Sequence, residues 1–165
     1  MKRRAFFLPL LLLPLAACGF HLRGEAAMPF QTLYIDAPGY NQLQVDSFYQ
    51  RLAKRLQLSG VTLEPSPAKA QVVLKILPQT RTRNILALTS AGQVAEYRIA
   101  LIMTYAVLGP NGRAIAPPAT INLTRDYTYN NNQYLAMGAE ENLLYRDMEN
   151  AALEQIVQRL QDIHP

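Results

Sequence analysis

The 165-residue chain is poor in the side chains that usually carry chemistry: it has one cysteine and two histidines. With no second cysteine, an internal disulfide is impossible. Neither a cysteine pair nor a close histidine pair is present to hold a metal, and no glycine-rich loop is present to cradle a phosphate. His21 and His164 lie near the two ends, where neither suits a base held rigidly against a cleft. Glu140 and Glu141 could be read as paired carboxylates for glycosidic chemistry. Adjacent helical residues point about a hundred degrees apart, however, so the pair fits charge complementation at a helix start better. No enzyme is expected, and a cell-wall hydrolase would need a constellation that these residues do not supply.

What is there begins at the N-terminus. Lys2, Arg3 and Arg4 precede an apolar run, Ala5 to Leu15, that is too short to span a bilayer; Ala16, Ala17 and Cys18 follow. Basic start, apolar centre and small residues before a cysteine read as a lipoprotein signal, residues 1–17, rather than a plain secretory signal or an anchor helix. Cys18 is then the lipidation site, bearing covalent N-acyl and S-diacylglycerol lipid, and no other cofactor is expected. Several acyl chains make a lasting anchor where one would be marginal. Gly19, in place of an aspartate, resembles an outer-membrane address. In this setting the acceptor-like triplet Asn122, Leu123, Thr124 is accidental.

Removing the signal leaves 148 residues, enough for one domain with a real core. The cut takes three of the 16 basic residues and none of the 12 acidic ones, leaving 13 against 12, a net charge of +1. The basic character belongs mostly to the signal, so nucleic acid is not an expected partner.

Residues 18–31 read as a lipidated tether, and residues 32–165 as a single domain whose packing starts near Phe30. Thr32 to Ile35 alternates as a first strand. Val45, Phe48, Tyr49, Leu52 and Leu56 recur at helical spacing up to Gly60, with Arg51, Lys54 and Arg55 expected on a solvated face. Gln71 to Leu77 predicts a second strand that Pro78 ends or bulges, before the chain resumes through Arg81 and Arg83. Val94 to Leu108 is the strongest strand, apolar on both faces and therefore central. Asn111 and Gly112 mark a hairpin turn. After Pro117 and Pro118 a last strand alternates Ile121, Leu123, Arg125, Tyr127 and Tyr129 with Asn122, Thr124, Asp126 and Thr128, so one face should meet water or a polar partner. Asn130 to Asn132 break this pattern. Leu144, Met148, Ala152, Ile156 and Leu160 then trace a long helix. The order predicts an α+β two-layer sandwich: two helices on one face of a mostly antiparallel four-stranded sheet.

Arg81, Arg83, Arg98 and Arg125 fall on strand-like segments, and a sheet could gather several of them. Guanidiniums bind phosphates in bidentate fashion, which suits an anionic lipid headgroup; the alternative is a charged, solvated sheet edge. Tyr127, Tyr129 and Tyr134 read as core or as an interface belt.

Cys18, Gly19, Phe20, His21, Leu22, Arg23 and Gly24 resemble the opening of the LPS-assembly lipoprotein family (LptE). Gly92, Gln93, Ala95, Glu96 and Tyr97 resemble its turn into the central strand. Glu140 to Leu160, including Met148, Ala152, Glu154 and Gln155, resemble its terminal helix. The resemblance covers nearly all of the chain beyond Cys18. It implies an outer-membrane lipoprotein, on the periplasmic face and within the barrel lumen, that plugs and supports assembly of the LPS-translocation β-barrel (LptD) and binds lipopolysaccharide. Two positions depart from the family: Ser90 and Met137 stand where some relatives carry a basic residue. The expected phosphate contacts are therefore Arg81, Arg83 and Arg98. The alternative function is that of an auxiliary lipoprotein in another periplasmic lipid-transport system.

Overall fold

The computed structural model describes residues 28–163; the proposed signal, Cys18, His21 and His164 lie outside them. The elements run β1 (Thr32–Asp36), α1 (Phe48–Leu58), β2 (Thr62–Leu63), β3 (Val72–Ile76), β4 (Thr80–Leu88), β5 (Val94–Leu108), β6 (Ala114–Thr128) and α2 (Tyr134–Gln161). Two helices cover one face of a single mixed sheet. β1 pairs in parallel with β2 and β3, while β3, β4 and β6 all pair antiparallel to β5.

Among the described residues the sheet has six strands, two more than the alternation suggested. β2 is only two residues long and offers no period to detect. β3 and β4 lie end to end along the same edge of β5: Ile76 faces Tyr105, and Thr80 faces Ile102. Three residues, Leu77 to Gln79, therefore stand opposite two, a bulge at Pro78 that divides one long strand into two. Gly39, in the loop leaving β1, fits this bulge closely: its φ is +88°, and a Cβ there would lie 3.2 Å from Pro78 Cγ. Tyr40 secures the same spot by donating its hydroxyl to the Leu77 carbonyl at 3.3 Å. β6 begins at Ala114 and runs through Pro117 and Pro118, which stand opposite the register shift between Tyr105 and Val107. As an edge strand, it tolerates two residues that cannot donate to a ladder.

α1 starts at Ser47, whose hydroxyl accepts from the Gln50 N–H at 3.3 Å. The start lies later than the apolar spacing implies. Val45 falls in the preceding turn and is exposed, whereas Phe48, Leu52 and Leu56 are buried. The arginines of α1 differ from the expected solvated face as well: Arg51 and Arg55 reach Glu149 and Glu154 of α2. These pairs step along both helices in the same sense, so the two run parallel.

The main core joins Leu33, Ile35, Leu74, Ile76, Met103 and Val107 of the sheet to Leu52 and Leu56 of α1 and Ala152, Ile156 and Leu160 of α2. Packing reaches back to Phe30, which is buried, and to Met28. A second cluster, Ile99, Leu101, Tyr127, Tyr145 and Met148, lies under the first half of α2. Burying each large apolar side chain contributes about 2 kcal/mol, so these clusters hold the helices to one face.

Candidate functional site: a polar seam and an open sheet face

The described residues contain no group of acids, histidines or cysteines able to hold a metal. No helix among them is long and apolar enough to cross a membrane. The polar chemistry concentrates in two places.

The first is the seam between α2 and β4. Glu149 is the one buried charged residue among the described residues, 7% exposed. Its carboxylate accepts from Arg51 at 2.5 Å, from Arg81 at 2.7 Å and from Gln79 Nε2 at 2.8 Å. Burial alone would raise its pKa. The three donors outweigh that effect, so the carboxyl sits below its ordinary range. Two helical turns earlier, Glu141 accepts from Arg83 at 2.9 Å and from the Tyr127 hydroxyl at 2.7 Å. Burial and the adjacent Glu141 carboxylate push the Tyr127 phenol well up. Between the two carboxylates, Tyr145 donates its hydroxyl to the Thr82 carbonyl at 2.9 Å, and its ring lies 4.7 Å below the Arg81 guanidinium. Arg83 stacks similarly over Tyr97. The helix starts at Tyr134, so Glu141 lies beyond its first turn. Cross-element pairing, rather than the helix end, sets its role.

Past this seam, Arg83, Tyr127, Tyr129, Leu135, Met137, Gly138 and Glu141 line an open cleft of about 280 Å³. Tyr127 is core and Tyr129 half-buried at its rim.

The second place is the opposite face of β4, β5 and β6. Register sets Thr80, Ile102 and Asn122 in one row, Thr82, Ala100 and Thr124 in the next, and Asn84, Arg98 and Asp126 in a third. The Thr104 and Thr120 hydroxyls meet at 3.0 Å. Neither α1 nor α2 lies over these rows, as both pack on the other face.

Of the arginines expected to act together, Arg81 and Arg83 share the helix-bearing side. Arg98 projects to the open face, where both of its contacts to the Asp126 carboxylate measure 2.7 Å. Strand parity separates them: Arg98 stands opposite Asn84, while Arg81 and Arg83 stand opposite Leu101 and Ile99. Reading along β4 and β5 missed Glu149 and Gln79 altogether. A single glutamate on an otherwise apolar helical face was the available signal.

The family model for lipopolysaccharide assembly, LptE, matches residues 30–160. The chain belongs to the LptE family. It is 31% identical to the LPS-assembly lipoprotein LptE of Pectobacterium atrosepticum over 170 residues, covering 99% of this chain and 89% of that one. The LptE of Yersinia enterocolitica is 30% identical over 161 residues, covering 95% and 74%. Among solved structures, lipoprotein B of Nitrosomonas europaea superposes with a TM-score of 0.72 at 28% identity, covering 87% of this chain and 90% of that one. The rare lipoprotein B of Shewanella oneidensis gives 0.67 at 25%, covering 79% and 93%. The LptE-family fold is therefore the α+β sandwich described above, and the family is one of assembly lipoproteins.

Proposed function

We propose that this LptE-family chain is anchored in the outer membrane through lipid on Cys18, seats inside the lumen of the LPS-assembly barrel (LptD), and contacts lipopolysaccharide there without catalysing a reaction. The observation that carries the plug reading is the face of β4, β5 and β6 that no element among the described residues covers. It is broad, rich in threonine and asparagine, and its one arginine is neutralised by Asp126. An uncovered sheet face facing lipid or a dry partner would be apolar, whereas the lumen of a large barrel is polar. Arg81 and Arg83, on the other side, keep 42% and 50% of their side chains exposed, and Arg83 lines the open cleft. That pair suits the phosphates of a glycolipid better than Arg98 does: Arg81 and Arg83 each give one nitrogen to a glutamate, whereas Arg98 gives both arms of its fork to Asp126.

The acylated protein, extracted from outer membranes in mild detergent, is expected to bring the barrel with it. Recovery as a free monomer would sink the plug reading. For the lipid, reversing Arg81 and Arg83 to glutamate should weaken lipopolysaccharide binding in vitro, and reversing Arg98 should weaken it less. Unchanged binding after reversal of all three would rule out these arginines as phosphate contacts.

A further inference from the structure

We propose that the outward edge of β4, from Arg81 to Ile85, takes up an extended segment of the protein partner as an added strand. The proposal rests on the reading above, that this chain works bound to a barrel protein, and names where the two polypeptides join.

The direction of the backbone groups follows from two hydrogen bonds at the ends of β5. Leu77 N–H donates to the Thr104 carbonyl, and Tyr129 N–H donates to the Ala95 carbonyl. Backbone groups alternate sides along an antiparallel strand, so the even residues of β5 turn toward β3 and β4 and the odd ones toward β6. Thr80, Thr82 and Asn84, opposite Ile102, Ala100 and Arg98, are therefore the β4 residues bonded to β5. Arg81, Arg83 and Ile85 point their N–H and C=O groups away from the sheet, and among the described residues none of these groups has a partner.

The position beside them is vacant for a structural reason. β1 flanks β3 only as far as Asp36 opposite Lys75, after which the chain turns away at Gly39, against Pro78. Among the described residues no strand takes the site in line with β1 and alongside β4. Proteins usually blunt such edges. Here β2 is too short to pair further. β6 carries Pro117 and Pro118, and its Arg125 guanidinium folds back onto the Thr124 carbonyl at 2.9 Å. β4 has neither device before its own bulge at Leu86, which leaves a slot of about five residues, an ordinary strand length.

The chemistry of the slot selects polypeptide. Alternating donors and acceptors at strand pitch are matched by another backbone, whereas a phosphate headgroup offers acceptors only and would leave the carbonyls unpaired. Charge narrows the partner. Arg81 and Arg83 flank the slot on the helix side, and Arg81 shares the Glu149 carboxylate with Arg51, so the incoming segment should carry carboxylates or apolar side chains at alternate positions. The loop that leaves β1 carries exposed apolar side chains, Leu43 at 94% and Val45 at 89%, and Asp46 pins it to Arg146 of α2.

The test is hydrogen exchange, resolved to single amides, on the full acylated chain with and without the co-purified barrel. In the complex the Arg81, Arg83 and Ile85 amides should exchange at least ~10-fold more slowly, while Thr82 and Asn84 stay slow in both states. Ile85→Pro deletes an outward N–H and spares the ladder, so it should lower barrel recovery by about 10-fold, whereas Ile85→Lys, which keeps the N–H, and Asn122→Pro on the outer edge of β6 should not. Unchanged exchange in an intact complex would overturn this proposal alone. Failure of the wild type to recover any barrel would overturn it together with the reading it rests on. The same amides already protected in the free chain would assign the slot to the chain's own N-terminal segment, and protection by lipopolysaccharide alone would assign it to lipid; either result overturns a protein strand.

Discussion

Arg81 and Arg98 stand on adjacent strands, yet their guanidiniums point to opposite faces of the sheet, one to Glu149 of α2 and the other to Asp126 of β6. The two pairs differ in kind. Glu149 is buried between three donors, whereas the Arg98–Asp126 pair is exposed and screened by solvent and salt. Glu149→Ala would leave the Arg51 charge, 17% exposed, without its carboxylate and with the Asp46 carbonyl as its remaining acceptor, and breaking a buried pair in this way typically costs about 3 kcal/mol or more. Urea unfolding measures it directly. Arg98→Ala should leave the midpoint unchanged. Equal effects of the two substitutions would show that Glu149 is not the hub of the seam.

The same carboxylate sets a pH dependence. Its folded pKa lies below the ordinary glutamate value because the donors from Gln79, Arg51 and Arg81 outweigh burial. A group depressed in the folded state contributes stability above its unfolded pKa and loses that contribution as pH falls through the folded value. Stability should therefore be flat near neutrality and decline on the acid side of the ordinary glutamate pKa of 4.5. In Glu149→Gln this decline should be shallower. An identical acid slope in wild type and variant, read from urea midpoints across that range, would assign the slope to other carboxylates.

Gly39 offers a test of the bulge that separates β3 from β4. Its φ of +88° disfavours any side chain, and Pro78 Cγ lies 3.2 Å from where a Cβ would stand. Gly39→Ala should destabilise the fold by about 1–2 kcal/mol, more than a surface substitution does. Gly92→Ala makes the comparison: its φ is +76°, but nothing lies within 4 Å of its added Cβ. It carries the backbone strain without the contact and should cost less. A thermal melt that ranks the two the other way would remove the close approach to Pro78 as a cause.

How far these features could be read from sequence depends on their period. β5 emerged whole because fifteen residues alternate without interruption, and α2 because Met148, Ala152, Ile156 and Leu160 repeat at intervals of four. β2 was invisible because two residues have no period. β4 lacked a clear boundary because its exposed side chains interrupt the apolar alternation that Pro78 had already broken. The seam was the least legible part. Its members, Arg51, Gln79, Arg81 and Glu149, come from three separate elements and the bulge before β4, up to 98 residues apart, so only the packing of α2 over β4 reveals that they converge. The separation of Arg98 from Arg81 was present in strand parity, but using it required the register between β4 and β5, which no single strand contains.

Tyr145 links the two halves of the seam, and its hydroxyl can be removed without disturbing its ring. The phenol donates to the Thr82 carbonyl from within the second core cluster, and burial raises its pKa above the ordinary tyrosine value. Tyr145→Phe keeps the packing against Met148 and the ring beneath Arg81 but deletes that bond. The expected loss is about 1 kcal/mol, since one acceptor is left short of a donor while the apolar contacts persist. Tyr145→Ala also empties part of the cluster and should cost about 3–5 kcal/mol, as truncation of a buried aromatic does. The difference between the two variants isolates what the ring contributes. If Tyr145→Phe matched the wild type while Tyr145→Ala did not, α2 would be held over β4 by packing and the carboxylate pairs alone, with no share for this bond.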